Sequence, residues 1–129
     1  MRIATWDCEA WDLSPEFAPL LCVSVEDVQT GEMVTFRQDD YVRRKKADGM
    51  ADDHQLAVDV RDFLETFHMT YGWFSKGYDF QLLNTRLAKF GERPIRSAFH
   101  IDGTWFFRGW RGLKTKTSKL KHVAEFFNF

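Results

Sequence analysis

Two carboxylates, Asp7 and Glu9, stand two positions apart at the end of an apolar run, Arg2-Ile3-Ala4-Thr5-Trp6-Asp7-Cys8-Glu9-Ala10. In a strand, residues i and i+2 share a face, so the two acids point the same way and Cys8 points opposite. Neighbouring carboxylates repel unless something positive sits between them, and a hard divalent cation such as Mg²⁺ or Mn²⁺ takes oxygen ligands. The alternative is a solvated strand end. Two further acids bear on that choice. Asp79 follows the turn Ser75-Lys76-Gly77-Tyr78 at the start of a helix, where it serves as a ligand or only as a cap favoured by the helix dipole. Asp102 ends the short run Ala98-Phe99-His100-Ile101-Asp102. Sites in open sheets lie outside the carboxyl ends of parallel strands. If the strands at Asp7, before Asp79 and at Asp102 are parallel neighbours, the acids crowd one edge as a two-metal site. Such a site activates water on one ion and stabilises the leaving oxygen of a phosphodiester on the other.

The elements that must position these acids follow from periodicity and turn chemistry. Leu20 to Val28 reads as a second strand after a loop, Leu13 to Pro19, that carries two prolines. Thr30-Gly31 turns the chain into a third strand, Met33 to Arg37, so the first three strands form an antiparallel meander. Gln38 to Gly49 is polar, and its run Arg43-Arg44-Lys45-Lys46 is either a solvated loop or a patch for phosphates. Asp52 with Gln55 resembles a capping box that opens a helix with Leu56, Val60, Phe63, Leu64 and Phe67 on one face. A fourth strand is expected from Met69 to Phe74. A second helix then carries Phe80, Leu83, Leu87 and Phe90, and Gly91 ends it. A fifth strand runs from Ala98 to Asp102. Gly103 to Lys116 reads as an irregular surface segment. A third helix, Ser118 to Phe127, carries Leu120, Val123, Ala124 and Phe127 on one face. The order β-β-β-α-β-α-β-α implies an α/β class with a mixed sheet, antiparallel in its first three strands and parallel in its fourth and fifth, with helices packed on it.

Composition bounds the partners. The chain has 129 residues, 44% of them apolar and 16% aromatic, enough for one domain with a sizeable core. A net charge of −1 excludes a strongly basic nucleic-acid binder, though not an enzyme that holds nucleic acid through metal and a local basic patch. The four His lack the short spacing of a zinc set. Cys8 and Cys22 fall in expected strands and read as buried free thiols, which implies a reducing, cytoplasmic location. No apolar run is long enough for a membrane span, and no signal peptide precedes the first strand. From Gly103 onward, Trp105, Phe106, Phe107 and Trp110 interleave with Arg108 and Arg111, either to pack under a loop or to stack on single-stranded bases.

Together the motifs resemble a known family. Trp6-Asp7-Cys8-Glu9 resembles the first motif, Asp-X-Glu, of the DEDD 3′–5′ exonucleases, which have the ribonuclease H-like fold. Tyr78-Asp79 resembles the aromatic-Asp pair of their second motif, Gln81 to Leu87 the helix after it, and His100-Ile101-Asp102-Gly103 their Ile-Asp-Thr stretch. The resemblance spans Arg2 to about Phe127. It is closest to the phage and bacterial branch related to DNA polymerase proofreading domains. It implies hydrolysis of the 3′-terminal nucleotide of DNA or RNA with two Mg²⁺ or Mn²⁺ ions, and single-stranded DNA 3′ ends as partners. Asp7 would bridge both ions, Glu9 would hold the ion carrying the attacking water, and Asp79 would act on the second ion. Asp102, Ser75 and Lys76 would support them, and Tyr78, Asn84, Arg86, Trp105 and Arg108 would contact substrate. Two departures are visible. No Asn precedes the aromatic-Asp pair in the usual place, which Phe74 and Ser75 occupy. The third motif, with its fourth Asp, is absent: from Gly103 to Phe129 the only acid is Glu125. The expectation is therefore one exonuclease-like domain, truncated at its carboxyl end and lacking the third-motif helix. A non-catalytic nucleic-acid-binding module and a structure-selective endonuclease are the alternatives on the same fold.

Overall fold

Alternation governs the first strand. In β1 (Ile3–Ala10) Ala4, Trp6 and Cys8 are buried while Asp7 and Glu9 are exposed, so the apolar set fixes which face meets the core. A computed structural model describes residues 1–14, 16–41, 52–96, 99–107 and 117–128. In it β2 (Leu20–Asp27) pairs antiparallel with β1, and β3 (Met33–Arg37) pairs antiparallel with β2. β4 (Met69–Gly72) and β5 (His100–Asp102) run parallel on the other side of β1. The five-stranded sheet has the order β3-β2-β1-β4-β5, which matches the mixed sheet expected. Four helices accompany it among the described residues: α1 (Gln38–Tyr41), α2 (His54–Leu64), α3 (Asp79–Lys89) and α4 (Leu120–Phe126).

The core lies between one face of the sheet and α2 and α3. Val23 and Val25 of β2 meet Leu56, Val60 and Leu64 of α2 and Leu82, Leu83 and Leu87 of α3. The i, i+4, i+8 spacing in α2 puts its three large aliphatic residues on one stripe. α3 ends in a Schellman turn: Glu92 N–H donates to Leu87 O at 2.9 Å and Gly91 N–H to Ala88 O at 3.0 Å, with Gly91 at φ +74°. A left-handed residue is needed there, and glycine supplies it without steric cost.

One buried ion pair ties three elements together. Arg86 of α3 donates to both oxygens of Asp53, at 2.8 and 2.5 Å, and the Leu20 amide at the start of β2 donates to the same carboxylate at 2.8 Å. This pair explains why the expected capping box does not form. Asp53, not Asp52, is the N-cap of α2, and its side chain is turned to Arg86 and Leu20 rather than to the helix. Asp52 instead accepts the His54 N–H at 3.0 Å.

Other boundaries also differ from the sequence reading. The expected loop after β3 begins with the short helix α1, while the Arg43 to Lys46 run lies outside the described residues. β4 stops at Gly72 because Phe74 takes a positive φ of 57° and leaves the sheet. β5 is three residues long, and Phe99 before it is exposed. Within the expected irregular segment Gly103 to Lys116, Gly103–Phe107 is a 3₁₀ helix with Gly103 and Thr104 buried and Trp105 and Phe106 exposed, while Arg108 to Lys116 lies outside the described residues. On α4 only Val123 of the expected face is buried. Cys8 is a buried free thiol, but Cys22 is only half-buried, because it points to the sheet face opposite the core.

Two predictions follow from these pairings. Asp53→Ala leaves the Arg86 guanidinium buried without its partner and should destabilise the domain by about 3–5 kcal/mol in urea unfolding. Glu65 accepts both terminal nitrogens of Arg93, at 2.6 and 2.7 Å, and the Arg96 amide. The Arg93 bonds hold its carboxyl down at about 2, against a smaller upward push from burial. Its folded value lies below its unfolded one, so its contribution is complete above about pH 4.3 and is lost as pH falls toward 2. Acid titration of stability should therefore be shallower in Glu65→Gln than in the parent.

Candidate active site

The site is built where β4 ends too soon to cover β1. The parallel ladder pairs only Ile3 with Met69, Ala4 with Thr70 and Thr5 with Tyr71. Past Thr5 the β4 side of β1 has no strand beside it, and a buried backbone N–H needs an acceptor. The Cys8 N–H donates to Asp79 Oδ1 at 3.0 Å. Asp79 is the first residue of α3 and is almost fully buried. Its carboxylate thus lies at the peptide that joins Asp7 to Cys8. Asp7 and Glu9 project from the sheet face opposite α2 and α3, exposed to solvent. Asp7 also lines a groove of about 420 Å³ on that face with Thr5, Ser24, Glu26, Tyr71 and Trp73.

The crowding is visible in the electrostatics. Burial, then the charges of Asp7 and Asp102, pushes the Asp79 carboxyl up to about 6 against the pull of the Cys8 amide. Burial, followed by Asp79 and Asp7, likewise raises the Cys8 thiol well above its ordinary value.

The turn that delivers Asp79 is anchored from β5. Asp102 is buried and accepts the Phe74, Lys76 and Thr104 amides, each at 3.0 Å, and the Thr104 hydroxyl at 2.7 Å. Burial raises its carboxyl, but these bonds outweigh burial and hold it below the usual carboxylate range. Thr5 pairs with Tyr71 and Gly72 with Asp102, so Asp102 points to the helix-covered face, away from Asp7 and Glu9. Ser75 is fully buried, with its hydroxyl 2.7 Å from His100 Nε2. Lys76 is exposed, and its Nζ lies 4.7 Å from the centre of the Trp105 ring, which is 64% exposed.

The remaining residues named from the sequence divide. Tyr78 borders the acids: its hydroxyl donates to the Asp12 carbonyl at 3.4 Å and is raised by burial, then by Asp79, with Glu9 among the smaller causes. Asn84 accepts the Ile95 N–H at 3.0 Å, and Arg86 is committed to Asp53 inside the fold. Both hold the structure together instead of facing a substrate. Arg108 lies outside the described residues, as do Trp110 and Arg111. Thr70, His100 and Thr104, none of them among the candidate site residues, also bond within this turn and its anchor. A signal for His100 existed: on a strand, it shares a face with Asp102 two positions on.

Among the described residues, no three His, Cys, Asp or Glu side chains are grouped so as to hold a metal ion. Asp7 and Glu9 stand on the sheet face, while Asp79 is turned to the strand edge by the Cys8 amide. The donor set fits a hard cation in kind, since every candidate ligand is a carboxylate oxygen. It fits in charge as well, since Asp7 helps to raise Asp79. It is an open arrangement, not a closed cage. No helix among the described residues is long and apolar enough to cross a membrane.

No family model matches the chain. No curated protein matches it either. Solved structures do. The family B DNA polymerase of the hyperthermophilic archaeon Pyrobaculum calidifontis aligns over 98% of this chain and 18% of its own, at 19% identity and a TM-score of 0.71. Escherichia coli Exonuclease I in complex with a dT13 oligonucleotide aligns over 96% of this chain and 35% of its own, at 10% identity and a TM-score of 0.62. Exonuclease I in an ExoI/SSB-Ct complex aligns over 96% of this chain and 35% of its own, at 13% identity and a TM-score of 0.62. The chain thus spans about a third or less of each. At these identities the likeness shows the fold, and the five-stranded mixed sheet with flanking helices is of the ribonuclease H-like kind.

Asp79 also sets a stability signature. Its folded value lies above its unfolded one, so its own contribution to stability is greatest below about pH 4 and is lost as pH rises through 6. Asp79→Asn keeps an oxygen for the Cys8 amide and removes the charge. Without divalent ions it should be more stable than the parent at pH 8, by on the order of 2 kcal/mol. The two proteins should converge near pH 4 in urea unfolding followed by circular dichroism.

Proposed function

We propose that this domain is a metal-dependent 3′–5′ exonuclease acting on single-stranded DNA ends. The observation that carries the reading is the Asp79 carboxylate bonded to the Cys8 amide, between Asp7 and Glu9, on a ribonuclease H-like sheet. The likeness to an Exonuclease I solved with a dT13 oligonucleotide supports the substrate class. The resemblance of Trp6 to Glu9 and of Tyr78-Asp79 to the DEDD motifs supports the reaction, release of a nucleoside 5′-monophosphate from the 3′ end.

Asp7 and Glu9 would hold Mg²⁺ or Mn²⁺ from the open face, with Asp79 beside them. A cation held there would supply Lewis-acid stabilisation of the scissile phosphate and would acidify a water toward neutral pH. The chain's own residues do the rest. Opposite charge favours the ionised form of Asp79. Tyr78 borders the acids, with its hydroxyl bonded to the Asp12 carbonyl. Trp105 offers an exposed aromatic face for a base, and Lys76, held over that ring, brings a positive charge for a phosphate.

One observation favours a second reading, a non-catalytic nucleic-acid-binding module: the described acids are not gathered into a ligand cluster. A 5′-labelled single-stranded DNA oligonucleotide with Mn²⁺ or Mg²⁺ separates the two. A ladder shortening from the 3′ end is expected, with Asp7→Asn and Glu9→Gln slower by at least about a hundredfold. An oligonucleotide bound but uncut would support the module instead, and internal fragments would support an endonuclease.

A further inference from the structure

Beneath the acids, His100 and Ser75 form a unit; the exonuclease resemblance gives Ser75 a supporting part without saying how, and gives His100 none. His100 Nε2 pairs with the Ser75 hydroxyl at 2.7 Å and His100 Nδ1 with the Thr70 hydroxyl at 2.7 Å. Thr70 and His100 face each other across the β4–β5 ladder. The imidazole packs between two walls, with ring centres 5.0 Å from Phe80 of α3 and 6.1 Å from Trp6 of β1. Burial, then the nearby Lys76 charge, lowers the imidazole below its ordinary value, so at pH 7 it bridges the two hydroxyls in its neutral form. Ser75 is fully buried and is the point from which α3 hangs: its carbonyl accepts the Phe80 N–H at 2.8 Å and the Tyr78 N–H at 3.3 Å, on either side of Asp79. Gly72 lets the turn fold this closely, since a Cβ there would lie 2.5 Å from Ser75 Cβ and Oγ. Asp102 already pins the Phe74 and Lys76 amides on either side of Ser75. Its bonds to the turn stop at the Lys76 amide; the Ser75 hydroxyl is held by His100, and the residues from Gly77 to Phe80 by the Phe74 and Ser75 carbonyls.

We propose that His100 and Ser75 are positioning residues for Asp79: the imidazole fixes the Ser75 hydroxyl, and with it the turn that sets Asp79 on the Cys8 amide. This deepens the exonuclease reading and rests on it for its kinetic consequence only. A displacement of about 1 Å at a reacting centre costs on the order of a hundredfold in rate, so a loosened turn acts on turnover, not on oligonucleotide binding.

The test uses two replacements that split the imidazole. The terminal amide of Gln takes the place of Nε2, so His100→Gln keeps the Ser75 bond. The amide of Asn takes the place of Nδ1, so His100→Asn keeps only the Thr70 bond. Both lose the ring, so a merely structural role would affect them alike. The Cys8 amide in a ¹H–¹⁵N correlation spectrum reports its bond to Asp79 without any need for activity. His100→Gln should leave that resonance in place and retain most of kcat. His100→Asn should move it and lower kcat by roughly a hundredfold, with KM for the oligonucleotide unchanged. Ser75→Ala removes only the hydroxyl and should behave as His100→Asn; it decides the matter if the His100 variants do not fold. Equal effects of Gln and Asn, or an unmoved Cys8 amide in Ser75→Ala, would overturn the proposal. If the parent chain cuts nothing, the nuclease reading fails, while the Cys8 resonance still decides the positioning.

Discussion

A backbone amide that loses its strand neighbour must bond to something, and much of this molecule's chemistry comes from how the Cys8 N–H is satisfied. β4 pairs with β1 only as far as Thr5. The next acceptor is the Asp79 carboxylate, carried in from α3. A neutral acceptor would have satisfied the amide equally well. A carboxylate does so while adding a buried negative charge next to Asp7, which a cation would relieve. Satisfying the backbone and crowding the charge are one event here.

The two faces of the sheet share the work. The face opposite α2 and α3 presents Asp7 and Glu9 to solvent. The covered face turns His100 and Asp102 toward the β4–α3 turn. Asp79 sits at the strand edge between the two. β5 is only three residues long, yet both of its helix-facing side chains are spent on that turn. Its value lies in what it anchors, since a strand of that length adds little sheet. Asp53 and Arg86 play a parallel part deeper in the fold, where one pair joins β2, α2 and α3.

Local patterns were legible in the sequence. The alternation through Ile3 to Ala10, the aliphatic stripe of α2 and the glycine that ends α3 are short-range signals, and the structure follows them. The pairing of Asp53 with Arg86 was not legible, because its partners lie 33 positions apart. It diverted the capping residue and withdrew Arg86 from the surface. The early end of β4 was equally hidden, because Trp73 and Phe74 have strong strand propensity and tertiary bonds from Asp102 overrode it. Of the candidate site, the acids Asp7, Glu9 and Asp79 were visible through motif spacing. The residues that hold their geometry were not, since Ser75, His100 and Thr70 look like ordinary polar positions until the strands are paired.

The sheet order has a kinetic side. β1, β2 and β3 are joined by short connections and can pair soon after they are made, with little loop entropy to overcome. The Cys8–Asp79 bond closes a separation of 71 positions, and the turn beneath it needs β5, later still in the chain. Long-range closure of this kind is slow compared with local pairing. The hairpins thus close at a smaller entropic cost than the Cys8–Asp79 bond, and the meeting of Asp79 with Asp7 and Glu9 is the part of the site that depends on long-range closure.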